Sequence, residues 1–310
     1  MYRKELMKHL PIRNLHYHEL IISFRNYLYE KGYSKGSQSM MPSNVQEFLH
    51  RMEQKCIFNI RWIEPKHIKD HYSYLGQRPN QRHEGRISSS MLNHHVYSIR
   101  LFFEWLLQLE AIPINPISGL EFPRPDKNPR EALTIDELGE LFQKTESLRE
   151  RAVLGIYYGC GLRRTEGQNL NACDIDFHRM VLIVRKGKFG KRREIPMHTT
   201  VANDLMDYWT KERQSYVIAS TLDNMQAFLL NSSGHRMSGA AANRMLKVIA
   251  ERTNIKKKIC LHVLRHSIAT HLKQNGMPIE QVQEILGHSS IDMTQNYMTA
   301  YRCEREYQHA

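Results

Sequence analysis

Apolar side chains recur at helical spacing along the first third of the chain. The segment 18–31 has one apolar face, and Gly32 is placed to end it. Shorter helical patterns cover residues 45–52 and 65–75. The hydroxyls of residues 88–90 can cap a longer helix with an apolar stripe of Leu92, Val96, Ile99, Phe103 and Leu106. The pattern predicts a bundle of four helices.

The later part of the chain also favours helices, with one interruption by strands. Residues 180–184, Met-Val-Leu-Ile-Val, form a β-branched run, and residues 193–195 can return beside it. Gly187 and Gly190 supply the turn between them. The predicted fold class is therefore mainly α with a small β-sheet, in which a helical bundle is followed by a mixed α/β domain.

A proline-rich stretch separates the two parts. Regular structure is blocked there by Pro116, Pro123, Pro125 and Pro129. We interpret residues 122–133 as an extended linker, which Arg124 and its neighbours make basic. A capping-box pattern that starts at Thr134 then opens the second domain. The predicted domains are 14–121 and 134–310.

The charge balance adds a partner to this picture. The 310 residues include 44 Lys+Arg against 32 Asp+Glu, which gives a net charge of +12. Because neutralising phosphates releases condensed counterions, such a charge favours a nucleic acid partner. A soluble protein that is basic without such a partner is the alternative.

Other classes fit the composition less well. No stretch approaches the roughly 18 apolar residues of a membrane helix, and the first ten residues lack the features of a secretory signal. The five cysteines are scattered without a CxxC pair, which argues against a disulfide framework and against structural zinc. We expect a cytoplasmic, nucleoid-associated protein that uses no cofactor, metal or membrane.

Breaking a DNA strand without a metal requires a nucleophile, an acid for the leaving 5′ oxygen, and cations around the phosphate. The first candidate cation is Arg163, where one helix ends and another begins near Thr165. From a rigid corner its guanidinium can hold two phosphate oxygens. The alternative is that Arg163 is an ordinary surface arginine at a helix end. Because Arg164 follows directly, the assignment of the phosphate-binding arginine could also be wrong by one residue.

The predicted hairpin is strongly basic. Six of its nine residues from 185 to 193 are cations: Arg185, Lys186, Lys188, Lys191, Arg192 and Arg193. Like charges repel each other unless an anion lies close, so this composition favours contact with DNA. A solvated hairpin tip is the alternative.

A third segment places His262 and Arg265 one turn apart on a helix, beside an apolar stripe that is buried. The two side chains can then contact the same phosphate. His262 and His266 also have the spacing of a zinc hydrolase, but Val263 stands where such an enzyme needs a glutamate as its base. We therefore expect no metal at this segment.

The candidate nucleophile is a tyrosine close to the end of the chain. Tyr297 lies nine residues after His288, which follows Gly287. The chain holds 15 tyrosines, so this one carries no weight by itself. A helix tyrosine packed on the core is the alternative.

Together and in this order, the segments resemble the tyrosine recombinase (phage integrase) family in its compact, Xer-like form. GLRRTE resembles the first arginine box of the family, HVLRH its His-x-x-Arg box, and LGHSSIDMTQNY its closing His…Tyr box. The hairpin resembles the turn that carries the family's acid. The resemblance spans the whole second domain, and the first domain resembles the SAM-like core-binding domain of the family.

The resemblance implies a role for each matching residue. Arg163 and Arg265 would clamp the scissile phosphate, and His288 would donate a hydrogen bond to it. His262 would assist proton transfer and hold a phosphate oxygen. Glu166 would support the arginines from behind.

The same resemblance assigns the reacting groups. Tyr297 would attack and form a 3′-phosphotyrosine, and Lys188 would protonate the leaving 5′ hydroxyl. Because Phe189 stands where many relatives have a glycine, the register of the acid is open, and Lys186 or Lys191 are the alternatives.

The family implies site-specific recombination of double-stranded DNA that carries an inverted-repeat core site. The enzyme would be a homo-oligomer, a tetramer in the synaptic complex, and would serve integration, excision, inversion or dimer resolution. We expect contacts with DNA from Arg124, Arg185, Lys186, Lys191, Arg192 and Arg193. The alternatives are a DNA-relaxing enzyme of the type IB topoisomerase kind and a non-catalytic DNA-binding protein on the same fold.

Overall fold

The computed structural model describes residues 10–80, 84–123, 131–185, 192–217 and 222–287, and no account is given of the side chains of residues 222 and 223. The chain divides into two compact units, Met1–Lys127 and Asn128–Ala310, and each is described by itself. Most of the predicted linker lies outside the described residues, so its conformation stays a prediction.

The described part of the first unit contains the four helices that the apolar pattern predicts: α1 (Leu15–Glu30), α2 (Lys35–Gln54), α3 (Pro65–Gln77) and α4 (Ser89–Gln108). The side chains of Asn14 and Ser88 cap α1 and α4 by accepting backbone hydrogen bonds at 3.1 and 3.3 Å. Gly32, with φ +72°, follows the end of α1 as expected.

Helix α2 is longer than the apolar pattern predicts. Its first half, which starts after the N-cap Ser34, is polar, and Pro42 lies inside it. A proline removes one hydrogen bond of a helix. Because Pro42 itself is buried together with Val45 and Phe48, the packing of this face compensates for that loss.

The core of the first unit is aromatic. Phe24 of α1 meets Phe102 of α4 edge to face, with ring centroids 5.3 Å apart, and Phe48 of α2 meets Phe103 at 5.9 Å. Such pairs stabilise a core by about 0.5–1.5 kcal/mol beyond the burial of their area. These rings join three helices of the bundle.

The described part of the second unit adds eight helices and a small sheet. The helices are α5 (Ile135–Gln143), α6 (Leu148–Leu154), α7 (Arg164–Gln168), α8 (Thr199–Asp207), α9 (Leu222–Gln226), α10 (Gly239–Glu251), α11 (Leu261–Gln274) and α12 (Ile279–Leu286). The strands β1 (Ile175–Asp176), β2 (Val181–Val184) and β3 (Arg193–Pro196) pair antiparallel in that order. The predicted mainly α fold with a small sheet is confirmed.

Local sequence signals set the ends of these elements. The capping box predicted at Thr134 is present, since its hydroxyl accepts from the N–H of Glu137 at 3.1 Å. In the hairpin, Leu182 pairs with Ile195, and both are buried against the core. None of the helices in the described ranges combines the length and apolar character needed to cross a membrane.

Candidate active site

A sharp corner between α6 and α7 carries Arg163. The segment Gly155–Gly159 is a π-helical turn, and Gly161 follows with φ +58°, a conformation that favours glycine. A Cβ at Gly161 would lie 2.5 Å from Cδ2 of Leu286, so the close approach of α12 also requires glycine here. The corner thus places Arg163 beside the end of α12.

Arg163 is directed towards a carboxylate and a main-chain carbonyl. Its Nη1 donates to Oε1 of Glu166 at 2.8 Å, and its Nη2 donates to the carbonyl of Gly287. Arg164 is exposed and lies against Gly239 at the start of α10. The geometry supports Arg163 over Arg164 as the arginine of the site.

Arg265 reaches the same place from α11. Its Nη1 donates to the carbonyl of Gly161 and its Nη2 to the carbonyl of Leu286. The side chain is 6% exposed, and Nη1 lies 3.9 Å from Oε2 of Glu166. The amphipathic pattern of α11 predicted that Arg265 lies beside the buried stripe. In the structure Arg265 is itself buried, on the face of the helix that packs against the core.

Glu166 is the carboxylate at which the arginines meet. Its side chain is 3% exposed and accepts two hydrogen bonds from Arg193, at 3.0 and 2.8 Å, besides those from Arg163. Burial alone would raise the pKa of this carboxyl. The hydrogen bonds from Arg193 and Arg163 outweigh burial and lower its pKa to about 2, so Glu166 remains ionised.

The end of α12 supplies the remaining acceptors. Three successive carbonyls each accept from a different arginine: Ile285 from Arg193, Leu286 from Arg265 and Gly287 from Arg163. The carboxyl end of a helix carries partial negative charge, which favours cations at this position. The helix end therefore orients all three guanidinium groups.

His262 lies on the first turn of α11 and is exposed, whereas His266 one turn later is 6% exposed. The two imidazoles of the zinc alternative therefore differ in their access to solvent. Within the described ranges, no three His, Cys, Asp or Glu side chains are grouped so that they could hold a metal ion.

The described cations of the hairpin have different surroundings. Arg192 is 64% exposed, and Arg185 is 51% exposed while its Nε lies 2.8 Å from Asp174. Arg193 is 10% exposed and directed at Glu166. This arrangement departs from the expectation that Arg193 contacts DNA, because its guanidinium is already engaged inside the protein.

The remaining predicted site residues lie outside the described residues. They are Arg124, Lys186, Lys188, Lys191, His288 and Tyr297. The structure thus brings together Arg163, Glu166 and Arg265, and it gives no position for the predicted acid or nucleophile.

The sequence does contain a signal that Arg193 points inward. The many cations of the hairpin drew attention away from it, because they suggested the same role for all of them. Side chains of a strand alternate between its two faces. Arg193 stands two residues before the buried Ile195 and therefore shares its face, while Glu194 is exposed. Alternation along β3 would have separated Arg193 from the other hairpin cations.

Known proteins resemble this chain in sequence. The sequence profile of the phage integrase family matches residues 131–303. Tyrosine recombinase XerD of Staphylococcus epidermidis is 31% identical over 277 residues, which cover 86% of this chain and 89% of the relative. Tyrosine recombinase XerC of Chromobacterium violaceum is 33% identical over 220 residues, or 69% of this chain and 71% of the relative.

Solved structures with the same fold include two integrases. The Tn1549 transposon integrase in complex with a circular intermediate DNA aligns with a TM-score of 0.71 at 21% identity, covering 93% of this chain and 99% of that one. A lambda integrase dimer bound to a COC′ core site aligns with a TM-score of 0.68 at 16% identity, covering 90% of this chain and 94% of that one. These structures share the fold, and the profile match together with the sequence relatives shows that the chain belongs to the phage integrase family of tyrosine recombinases.

Proposed function

We propose that this enzyme recombines DNA at specific sites through a covalent link between Tyr297 and a 3′ phosphate. The observation that carries the proposal is the meeting of two guanidinium groups from separate elements. Arg163 precedes α7 and Arg265 lies in α11, yet their Nη1 atoms are 2.8 and 3.9 Å from the carboxylate of Glu166. Two fixed cations suit the charge that develops on the nonbridging oxygens of a phosphate under attack.

The arginines are held before DNA arrives, which reduces the cost of organising them during the reaction. Main-chain carbonyls fix the plane of each guanidinium, and Glu166 compensates part of their charge. The side chain of Arg163 is 23% exposed and that of Arg265 is 6% exposed. A phosphate approaches Arg163 first, and Arg265 supports the charge from beneath.

The other roles follow from the family motifs. His262, exposed on the same helix as Arg265, assists proton transfer, and His288 donates to the phosphate. Lys188 protonates the leaving 5′ oxygen when the phenol of Tyr297 attacks the phosphorus. Because the phosphotyrosine bond conserves the energy of the phosphodiester, the strand rejoins to a new 5′ end without ATP.

DNA is the partner of this family, and the net charge of +12 suits it. The finer features belong to the proposal: a core site with inverted repeats, a tetramer during synapsis and a cytoplasmic location at the nucleoid. Integration, excision, inversion and dimer resolution are all compatible with this chemistry. The relatives are named recombinases, so the topoisomerase alternative is not favoured.

The first test uses a nicked suicide substrate that traps the covalent adduct. The wild type is expected to form a protein–DNA adduct at the 3′ phosphate, and Tyr297→Phe is expected to bind the DNA without forming it. Tyr301→Phe, which changes the tyrosine nearest to Tyr297 in the sequence, is the matched control and is expected to keep the adduct. An undiminished adduct with Tyr297→Phe would refute the assignment of the nucleophile.

A second test concerns the acid. Lys188→Ala is expected to slow cleavage of ordinary DNA but not of a substrate with a 5′-bridging phosphorothioate, because a thiolate leaves without protonation. Lys186→Ala and Lys191→Ala serve as matched comparisons. Rescue of one of these variants in place of Lys188→Ala would move the role to that lysine.

A third test separates recombination from relaxation. A supercoiled plasmid without a core site is expected to stay supercoiled, whereas a plasmid with two sites is expected to give recombinant products. Relaxation of both plasmids at equal rates would favour the topoisomerase alternative.

A further inference from the structure

Arg193 is the most enclosed cation of the basic hairpin described by the structure. Its side chain is 10% exposed, against 64% for Arg192 and 51% for Arg185. In the ladder of the hairpin it pairs with Val184, whose side chain is buried. A side chain in this position has little surface left for a DNA backbone, so its function lies within the protein.

The contacts of Arg193 join three separate segments. Nη1 and Nη2 donate to the two oxygens of Glu166 in α7, at 3.0 and 2.8 Å. Nε donates to the carbonyl of Ile285 in α12 at 2.9 Å. A planar fork with two parallel bonds fixes direction as well as distance, which a lysine ammonium cannot do.

Gly287 lets this guanidinium lie close against the end of α12. A Cβ at Gly287 would lie 3.1 Å from both Cδ and Nη1 of Arg193 and 3.2 Å from Cζ. The residue also has φ +65°, which favours glycine. Close contact between Arg193 and α12 is therefore built into the backbone of the helix end.

The joined segments are those on which the reacting groups depend. Lys188 precedes strand β3 by five residues in the sequence, Glu166 orients Arg163, and α12 ends two residues before His288. A change in the position of any one of these segments would alter the distance between acid, phosphate and nucleophile.

We propose that Arg193 is a positioning residue for DNA cleavage: it holds the hairpin, the corner of Arg163 and the end of α12 in one register through Glu166 and the carbonyl of Ile285. The inference rests on the proposed function. It predicts that Arg193 affects the rate of the chemical step and leaves the affinity for DNA unchanged.

The charges that face Glu166 give a readout that a purely structural role would not move. These are Arg163 from the corner, Arg193 from β3 and Arg265 from α11. Removing Arg193 takes away a large part of what lowers the pKa of Glu166, so protonation of this carboxyl moves up in pH. Protonated Glu166 holds Arg163 less firmly, and cleavage should then weaken on the acid side.

The experiment measures adduct formation on the nicked substrate in a single turnover at saturating enzyme, together with the dissociation constant for the same DNA. Arg193→Gln is expected to slow cleavage about 100-fold, as expected for a displacement near 1 Å, without weakening DNA binding. Its cleavage rate should fall on the acid side at a higher pH than that of the wild type, and Glu166→Gln combined with Arg193→Gln should lack this acid limb.

Two matched variants define the alternatives. Arg192→Gln removes an exposed neighbour and is expected to weaken DNA binding. Arg179→Gln breaks an exposed ion pair, 3.3 Å long, with Glu194, the neighbour of Arg193 in β3. It is expected to change neither the affinity for DNA nor the rate of cleavage. Arg193→Gln behaving like either control would overturn the inference.

Arg193→Lys keeps the result decisive if Arg193→Gln does not fold. A lysine retains the charge but not the fork, so it is expected to fold, to bind DNA normally and to cleave at least tenfold more slowly. Cleavage by Arg193→Lys at the wild-type rate would overturn the inference. Absence of an adduct with the wild-type enzyme would instead overturn the proposed function, and this inference with it.

Discussion

Each unit of the protein buries a polar cluster, and the two clusters are stabilised in opposite ways. In the second unit, three arginines meet around Glu166, which compensates part of their charge, and each of them also donates to a main-chain carbonyl. In the first unit, His71 of α3 and His95 of α4 are 1% and 3% exposed. Among the described residues, neither ring nitrogen of His71 has a hydrogen-bond partner, nor does Nδ1 of His95.

The two clusters avoid the cost of burying an uncompensated charge in different ways. Glu166 remains charged because hydrogen bonds from arginines outweigh the cost of desolvation. Burial lowers the pKa of His95 to about 4 and that of His71 well below its usual range, so both rings are neutral at pH 7. The site needs fixed charge for its chemistry, whereas the bundle needs only a packed interior.

Removal of the carboxylate should have the largest effect on the comparison. Glu166→Gln leaves three buried or half-buried arginines without their counter-charge, and we expect a loss of about 3–5 kcal/mol in the free energy of unfolding. Glu194→Gln, at an exposed carboxylate of β3, should cost less than about 1 kcal/mol. Urea denaturation measures both, and equal losses would contradict the account of the site.

Acid should weaken the first unit before it affects the site. The folded pKa of His95 lies below its ordinary value of 6.5, so the unfolded chain binds more protons, and stability falls as the pH drops from about 6.5 through about 4. The loss from His95 is on the order of 3 kcal/mol. Charges from Arg78 and His94 act on His95, and His95, Arg51, Arg78 and Lys55 act on His71, in the same direction.

Glu166 titrates in a lower range. Its folded pKa of about 2 lies below the ordinary 4.5, so its contribution is complete above about pH 4.5 and is lost as the pH falls through 2. Amide hydrogen exchange reports each unit separately. Between pH 6.5 and 4.5, α3 and α4 should lose protection while α7 keeps it, and His95→Leu should reduce the loss. Equal loss in both units would contradict the comparison.

The close approach at the corner should matter less than the charges. Gly161→Ala puts a Cβ 2.5 Å from Cδ2 of Leu286 and strains a residue with φ +58°, so we expect a loss of about 2–3 kcal/mol. Gly276→Ala is the control, because its φ is +86° but no atom lies within 4 Å of the added Cβ. It should cost only about 1 kcal/mol, and denaturation that gives equal losses would exclude the steric account.

Helix caps should give the smallest effect and the clearest separation of the units. Ser88→Ala in the first unit and Thr134→Ala in the second each remove one capping hydrogen bond, worth about 1 kcal/mol. Hydrogen exchange should change only in the unit that carries the substitution. Spread of either effect into the other unit would show that the two units unfold together.

Local signals explain why so much of the fold could be predicted. The apolar stripe on α4, the cap at Ser88 and the box at Thr134 depend on neighbours a few residues away, and all are present. The length of α2 could not be predicted, because its first half is mostly polar and contains Pro42, whose burial becomes visible only in the folded structure.

The site shows the same division. The motif order predicted that Arg163 and Arg265 lie close, and both meet Glu166 in the structure. Besides Glu166, the acceptors of these two arginines are the backbone carbonyls of Gly161, Leu286 and Gly287, and a carbonyl leaves no trace in side-chain chemistry. Their part in the site follows from positive φ and close packing, which become visible only in three dimensions.

The row of carbonyls at the end of α12 has a consequence for insertions and deletions. Each residue of an α-helix advances the axis by about 1.5 Å and rotates it by about 100°. Removing one residue between Ile279 and Gln283 would present every acceptor to the wrong arginine, so all three bonds would be lost in a single step. The number of residues in α12 is therefore strictly constrained, while its exposed side chains can be substituted.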